Sequence, residues 1–106
     1  MREDDPELRL LEELTLTVEV TDTGTYYRDS DGNFHRKSGP AVIRDDHEMW
    51  FDHGRLHRRH RPAIESPRYR AWYRQGRLHR KSGPAVIYSD GTREYWINGK
   101  RRYKLE

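Results

Sequence analysis

Histidine recurs in this chain at a fixed interval, and each copy opens a basic string. The strings are His35-Arg36-Lys37, His57-Arg58-Arg59-His60-Arg61 and His79-Arg80-Lys81, with the first histidines 22 positions apart. A fourth basic run is Lys100-Arg101-Arg102. Imidazole can ligate a metal, move a proton or hold a hydrogen bond. Guanidinium and ammonium groups can meet phosphates or carboxylates.

The spacing argues against a shared metal. On strands, equivalent residues of neighbouring repeats lie two strands apart, roughly 10 Å at the usual strand separation. Zinc needs nitrogen ligands at about 2.1 Å. His57 and His60 share one arm but have no evident third ligand. Each histidine is therefore expected to pack beside a bend or to bond a turn carbonyl, with no metal and no cofactor. The chain has no cysteine, which removes thiolate zinc sites and disulfides. It shows no nucleophile turn in a Ser-His-Asp order, no phosphate-cradling glycine loop and no His-Glu-x-x-His. Asp45-Asp46 pairs two acids, but at a turn, where carboxylates serve the backbone. The expectation is a protein with no catalytic residues.

The basic strings carry more. Periodicity predicts that Arg36, Lys37, Arg58, Arg59, Arg61, Arg80, Lys81, Arg101 and Arg102 form a stripe along one side of a sheet. Tyr27, Phe51 and Tyr73 are expected as exposed aromatics beside it. Such a stripe suits an acidic protein surface, and the alternative is nucleic acid or a small nucleotide, with phosphates on the stripe and bases stacked on the aromatics. The competing reading is a solvated face that blocks edge pairing. Charge is unevenly divided. Residues 1–22 carry two bases and eight acids, and residues 23–106 carry 19 and 10. The acidic segment can cover the stripe in its own chain or in a second copy, which leaves a homodimer open.

The elements that position these residues are legible. Gly32, Gly54 and Gly76 head segments that align without gaps through Val42, Ile64 and Val86. An aromatic pair precedes each: Tyr26-Tyr27, Trp50-Phe51 and Trp72-Tyr73. A degenerate copy, Tyr95-Trp96-Ile97-Asn98-Gly99-Lys100, follows as a capping repeat would. Asp31-Gly32, His53-Gly54, Gln75-Gly76 and Asn98-Gly99 read as two-residue hairpin turns. Asp45-Asp46, Ser66-Pro67 and Asp90-Gly91 mark a second set. The prediction is a mainly β, antiparallel hairpin-repeat sheet of about 3.5 units of 22 residues. Pro40, Pro62 and Pro84 lack an N–H and belong at a bend. The expected core is Ala41, Ala63, Ala85, Val42, Ile64, Val86, Phe34, Leu56 and Leu78, plus Trp50, Trp72 and Tyr95.

Residues 1–22 form an acidic N-terminal piece, and 23–106 the repeat region of one folded domain. Asp5 as N-cap and Pro6 in the first turn predict a short helix. Leu14 to Val20 alternates apolar and polar, which predicts a half-buried strand opening the sheet.

The unit aromatic-aromatic-x-x-Gly-x-Leu-His-Arg-x-x-Gly-Pro-Ala-Val/Ile resembles the MORN-like repeats of phages, giant viruses and bacteria. The resemblance spans residues 25–104. It implies hairpin stacking and interaction roles, with no catalytic residues to carry over. Arg61 in place of glycine, and Glu65-Ser66-Pro67, depart from the pattern. The resemblance implies a protein-binding module, a phage-type inhibitor of a host factor such as CRISPR-type immunity machinery.

Leu, Ile, Val and Phe make up 18 of 106 residues, below the fifth or so that warns of disorder. A net charge of only +3, with seven Tyr and three Trp, points instead to a thin aromatic core. A thin core gains from a partner. No apolar run approaches the roughly 20 residues of a membrane span, so no membrane insertion is expected. Met1–Pro6 lacks signal-peptide character, and the expected location is the cytoplasm, the host's if the protein is viral.

Overall fold

A computed structural model of the chain describes residues 6–103. The chain is mainly β, with antiparallel hairpin strands and one short N-terminal helix, as the repeat pattern predicts. Helix α1 spans Pro6–Leu14. The strands are β1 (Thr17–Thr21), β2 (Gly24–Arg28), β3 (Val42–Ile43), β4 (Glu48–Met49), β5 (Phe51–Asp52), β6 (Arg55–Leu56) and β7 (Ile64–Glu65). They continue as β8 (Tyr69–Ala71), β9 (Tyr73–Arg74), β10 (Arg77–Leu78), β11 (Val86–Tyr88), β12 (Arg93–Ile97) and β13 (Lys100–Arg102). Nine strands form one sheet in the order β1-β2-β3-β4-β7-β8-β11-β12-β13, and β5-β6 and β9-β10 are separate ribbons. The Asp5 cap lies outside the described residues. Among the described residues no helix is long and apolar enough to cross a membrane.

The two middle repeats leave the main sheet at their first aromatic. Trp50 separates β4 from β5, and Trp72 separates β8 from β9. Their N–H groups donate to the carbonyls of Ala63 and Ala85, both at 2.7 Å. Their carbonyls accept from the N–H groups of His57 and His79, both at 3.0 Å. The ribbons then turn through His53-Gly54 and Gln75-Gly76, and β12-β13 turns through Asn98-Gly99. Both residues of each turn have positive φ, from 44° to 89°, the geometry that suits a right-twisted two-residue hairpin.

The first hairpin departs from this pattern. Arg28 bridges Phe34, so the connection is a five-residue loop from Asp29 to Asn33, not the expected two-residue turn at Asp31-Gly32. The buried Asp29 carboxylate closes it by accepting the N–H groups of Asp31 and Asn33, each at 2.9 Å.

The core is a column. Ala41, Ala63 and Ala85 have no exposed surface, and Val42, Ile64 and Val86 are buried beside them. Ile64, Ala71 and Val86 form the buried cluster, with Met49, Leu56, Leu78, Tyr73 and Trp96 against it. Sequence reasoning placed the first aromatic of each pair there. Trp72 is buried in the core as expected, whereas Trp50 and Tyr95 are only half-buried, and Tyr73 and Trp96, the second of their pairs, also pack on the cluster. The strand break sends Trp50 and Trp72 beneath their arginines.

Strand β1 pairs with β2 over five residue pairs and opens the sheet as expected. Every residue of it is exposed, including Val20 at 75%. The expected half-burial fails, since residues pointing to both faces of β1 are exposed.

Candidate interaction face

The three histidine-led strings lie on equivalent bends, and two contacts shape each bend. The arginine following each histidine places its guanidinium over an aromatic, Tyr27 of β2 in the first repeat and the tryptophan at the strand break in the next two. Arg36 Cζ is 3.9 Å from the Tyr27 ring centre, Arg58 3.8 Å from Trp50 and Arg80 3.9 Å from Trp72. The same arginines donate through Nη1 to the carbonyls of Pro40 (3.4 Å), Pro62 (3.2 Å) and Pro84 (3.1 Å). A cation on an aromatic face, with one donor closing a five-residue loop, uses the planar fork that lysine lacks. Burial pulls the guanidiniums of Arg58 and Arg80 below their usual pKa.

Glycine precedes proline in two of these bends because of that arginine. A Cβ on Gly39 would sit 2.9 Å from Arg36 Nη1, and one on Gly83 3.2 Å from Arg80 Cζ. The middle repeat carries Arg61 there and reroutes. His60 adopts φ 67°, and the Arg61 N–H donates to the Arg59 carbonyl at 2.8 Å, a three-residue γ-turn.

The histidines join one repeat to the next. Nδ1 of His35, His57 and His79 accepts the backbone N–H of His53 (2.9 Å), Gln75 (3.1 Å) and Asn98 (3.0 Å). Sequence reasoning expected packing or a bond to a turn carbonyl. The partner is a turn amide, so the ring nitrogen accepts.

Helix α1 reaches the first bend. Glu12 pairs with Nε2 of His35, and Glu13 accepts from Arg36 Nε at 2.7 Å and from Ser38 Oγ. Through Glu12 and Glu13 the helix thus meets the first bend of its own chain. A nine-residue helix is marginal alone. Acids in its last turn also oppose the helix dipole. The docking supplies a compensating cation, Arg36.

Glu12, His35 and His53 bring one potential ligand atom each within 4.8 Å of one another. The rings of His35 and His53 stack 3.6 Å apart. Histidines of adjacent repeats do converge, contrary to the distance argument from equivalent positions, because His53 is a turn residue. The hydrogen bonds oppose a metal. His35 Nδ1 accepts the His53 N–H, so the ring proton sits on Nε2, the atom a metal would need. His53 Nδ1 is engaged with Asp29 at 2.7 Å, and that bond holds the Asp29 pKa below its usual range.

The expected stripe divides into two populations. Arg36, Arg58 and Arg80 are half-buried in their stacks, whereas Lys37, Arg59, Arg61 and Lys81 are exposed. Arg101 and Arg102 lie apart, on the outermost strand β13, with Arg101 5.2 Å over the Tyr103 ring. The aromatics expected to be exposed are half-buried. Arg36 covers Tyr27, Phe51 packs 5.3 Å from Phe34, and Tyr73 lies on the core, where burial raises its hydroxyl pKa. A cavity of about 370 Å³ opens between the first and second bends, lined by Lys37, Arg58, Arg59, Arg61 and Trp50 among others.

Sequence reasoning missed Glu12, Glu13, Ser38 and Asp29. The misplaced acids in the last turn of α1 were the available signal. Compared with protein-family models, curated proteins and solved structures, the chain matches none.

Proposed function

We propose that the chain is a MORN-like, non-enzymatic protein-binding module whose row of bends captures acidic protein surface. One observation carries the reading: the first bend already holds two carboxylates, those of Glu12 and Glu13. Charge-assisted bonds of this kind give both strength and direction. The exposed Lys37, Arg61 and Lys81 extend the same field along the row. The covered faces of Tyr27, Phe51 and Tyr73 offer poor platforms for stacked bases, which weighs against the nucleic-acid alternative. The biological setting comes from the resemblance of the repeat unit: a phage-type inhibitor in the host cytoplasm, masking a host factor such as CRISPR-type immunity machinery.

The test is a pull-down of the tagged chain from bacterial lysate, with and without nuclease. One stoichiometric protein is expected in both samples, and it is expected to be lost from a Lys37→Glu, Arg61→Glu, Lys81→Glu variant. Recovery of nucleic acid, with all proteins vanishing after nuclease, would overturn the reading.

A further inference from the structure

Residues 35–43 and 79–87 are the same nine residues, His-Arg-Lys-Ser-Gly-Pro-Ala-Val-Ile. The structure gives them the same geometry. Arg36 and Arg80 stand 3.9 Å over their aromatics, and both donate Nη1 to the proline carbonyl four residues on. Both histidines accept a turn amide through Nδ1. That leaves three donors facing the same task in each copy: histidine Nε2, arginine Nε and serine Oγ. In the first copy all three are taken by Glu12 and Glu13. In the third, His79 Nε2, Arg80 Nε and Ser82 Oγ have no hydrogen-bond partner among the described residues.

His79 is nine-tenths buried, so its remaining donor is directed and not a freely rotating surface group. Arg80 is held by stack and carbonyl before any ligand arrives. A preorganised donor set spends little ordering entropy on binding. The middle copy lacks this set, since His60 and Arg61 replace serine and glycine and the γ-turn reroutes the loop.

We infer that the bend at His79–Pro84 is a receptor for the acidic last turn of a partner protein's helix, carrying two adjacent glutamates. This rests on the protein-binding reading and names the chemistry of its partner. The chain's own α1 shows how such a helix sits: adjacent glutamates reach adjacent residues, one the histidine and the next the arginine and serine. The unfavourable dipole of an acidic helix end is relieved by the cation it meets. A partner helix gains in the same way.

The test uses the full chain and a fluorescent, acetylated peptide of residues 6–16 as probe, read by the anisotropy of the peptide. The wild-type chain is expected to bind one peptide. Binding is expected to weaken at least about tenfold, the scale of losing a charged hydrogen bond, when the peptide carries Glu12→Gln and Glu13→Gln. The same loss is expected for Ser82→Glu, an exposed position that places a carboxylate in the bend. Equal binding by Ser82→Glu, or loss only in Ser38→Glu, would overturn the inference, the latter by placing the peptide at the first bend. A wild-type dimer that Ser82→Glu dissociates would also overturn it, since the occupant would then be a second copy. If the lysate partner is retained equally by wild type and Ser82→Glu, the binding module stands and this receptor fails. If neither retains a protein, the functional reading itself fails.

Discussion

Nδ1 of His79 accepts the backbone N–H of Asn98 at 3.0 Å, which ties the β9-β10 ribbon to the capping turn. The bond is one of three that repeat along the chain, each from a histidine to the left-handed first residue of the next turn. Beside each runs a backbone bond, from Gly54, Gly76 and Gly99 N–H to Phe34, Leu56 and Leu78 carbonyls, all at 2.8 Å. Stability along such an array is a sum of nearest-neighbour terms. His79→Leu removes the acceptor and keeps the bulk apolar, so it is expected to destabilise the fold by about 1–2 kcal/mol. His79→Asn, which retains a short-reach acceptor, is expected to lose less. Urea titration of both variants checks this, and equal losses would show that ring packing outweighs the bond.

The same bond makes stability pH-dependent. Burial first, then Arg74 and Lys81, lower the His79 pKa below its ordinary value of 6.5. The unfolded chain therefore takes up this proton before the folded chain does. Stability from His79 is full above about pH 6.5 and falls as pH drops through the lowered folded value. Protonation also turns the Nδ1 acceptor into a donor facing the Asn98 N–H. The melting temperature is expected to fall from about pH 7.5 to about pH 5.5, with a shallower fall in His79→Asn. An identical slope in that variant would assign the dependence to other groups.

The turns were legible because His53-Gly54, Gln75-Gly76 and Asn98-Gly99 require positive φ, and glycine after a small or polar residue announces it. The buried column was legible because Ala41, Ala63 and Ala85 recur in phase. The division of the basic stripe was not. A sequence shows Arg36 and Tyr27 in the same repeat, but only the bend from His35 to Pro40 brings the guanidinium onto the ring. Glu12 and Glu13 meet residues 23 to 25 positions away, a contact no local pattern encodes.

Glycine before proline leaves room for the stacked arginine where the loop takes its ordinary path. In Gly83→Ala the new Cβ would lie 3.2 Å from both Cζ and Nη1 of Arg80, so the guanidinium must give by a few tenths of an ångström, which loosens its contact with Trp72 or with the Pro84 carbonyl. The expected loss is about 1–2 kcal/mol, with a change in tryptophan emission. Full stability with unchanged emission would mean that the loop yields instead.

The middle repeat makes the complementary case. Arg61 occupies the glycine position, and the chain accommodates it by placing His60 at φ 67°. Ser38 and Ser82, at the equivalent positions, avoid the left-handed region. A side chain there is strained, and glycine is not. His60→Gly is expected to stabilise the fold by about 0.5–1 kcal/mol, the strain relief exceeding the added freedom of the unfolded chain. Arg61→Gly alone is expected to let the loop return to the path of its neighbours, with Arg58 still stacked on Trp50. Adding His60→Gly to Arg61→Gly should then lower stability, because the left-handed turn no longer exists to be relieved. Chemical denaturation of the two single variants and the double variant reads that change of sign. Simple additivity would show that the strain at His60 does not come from Arg61.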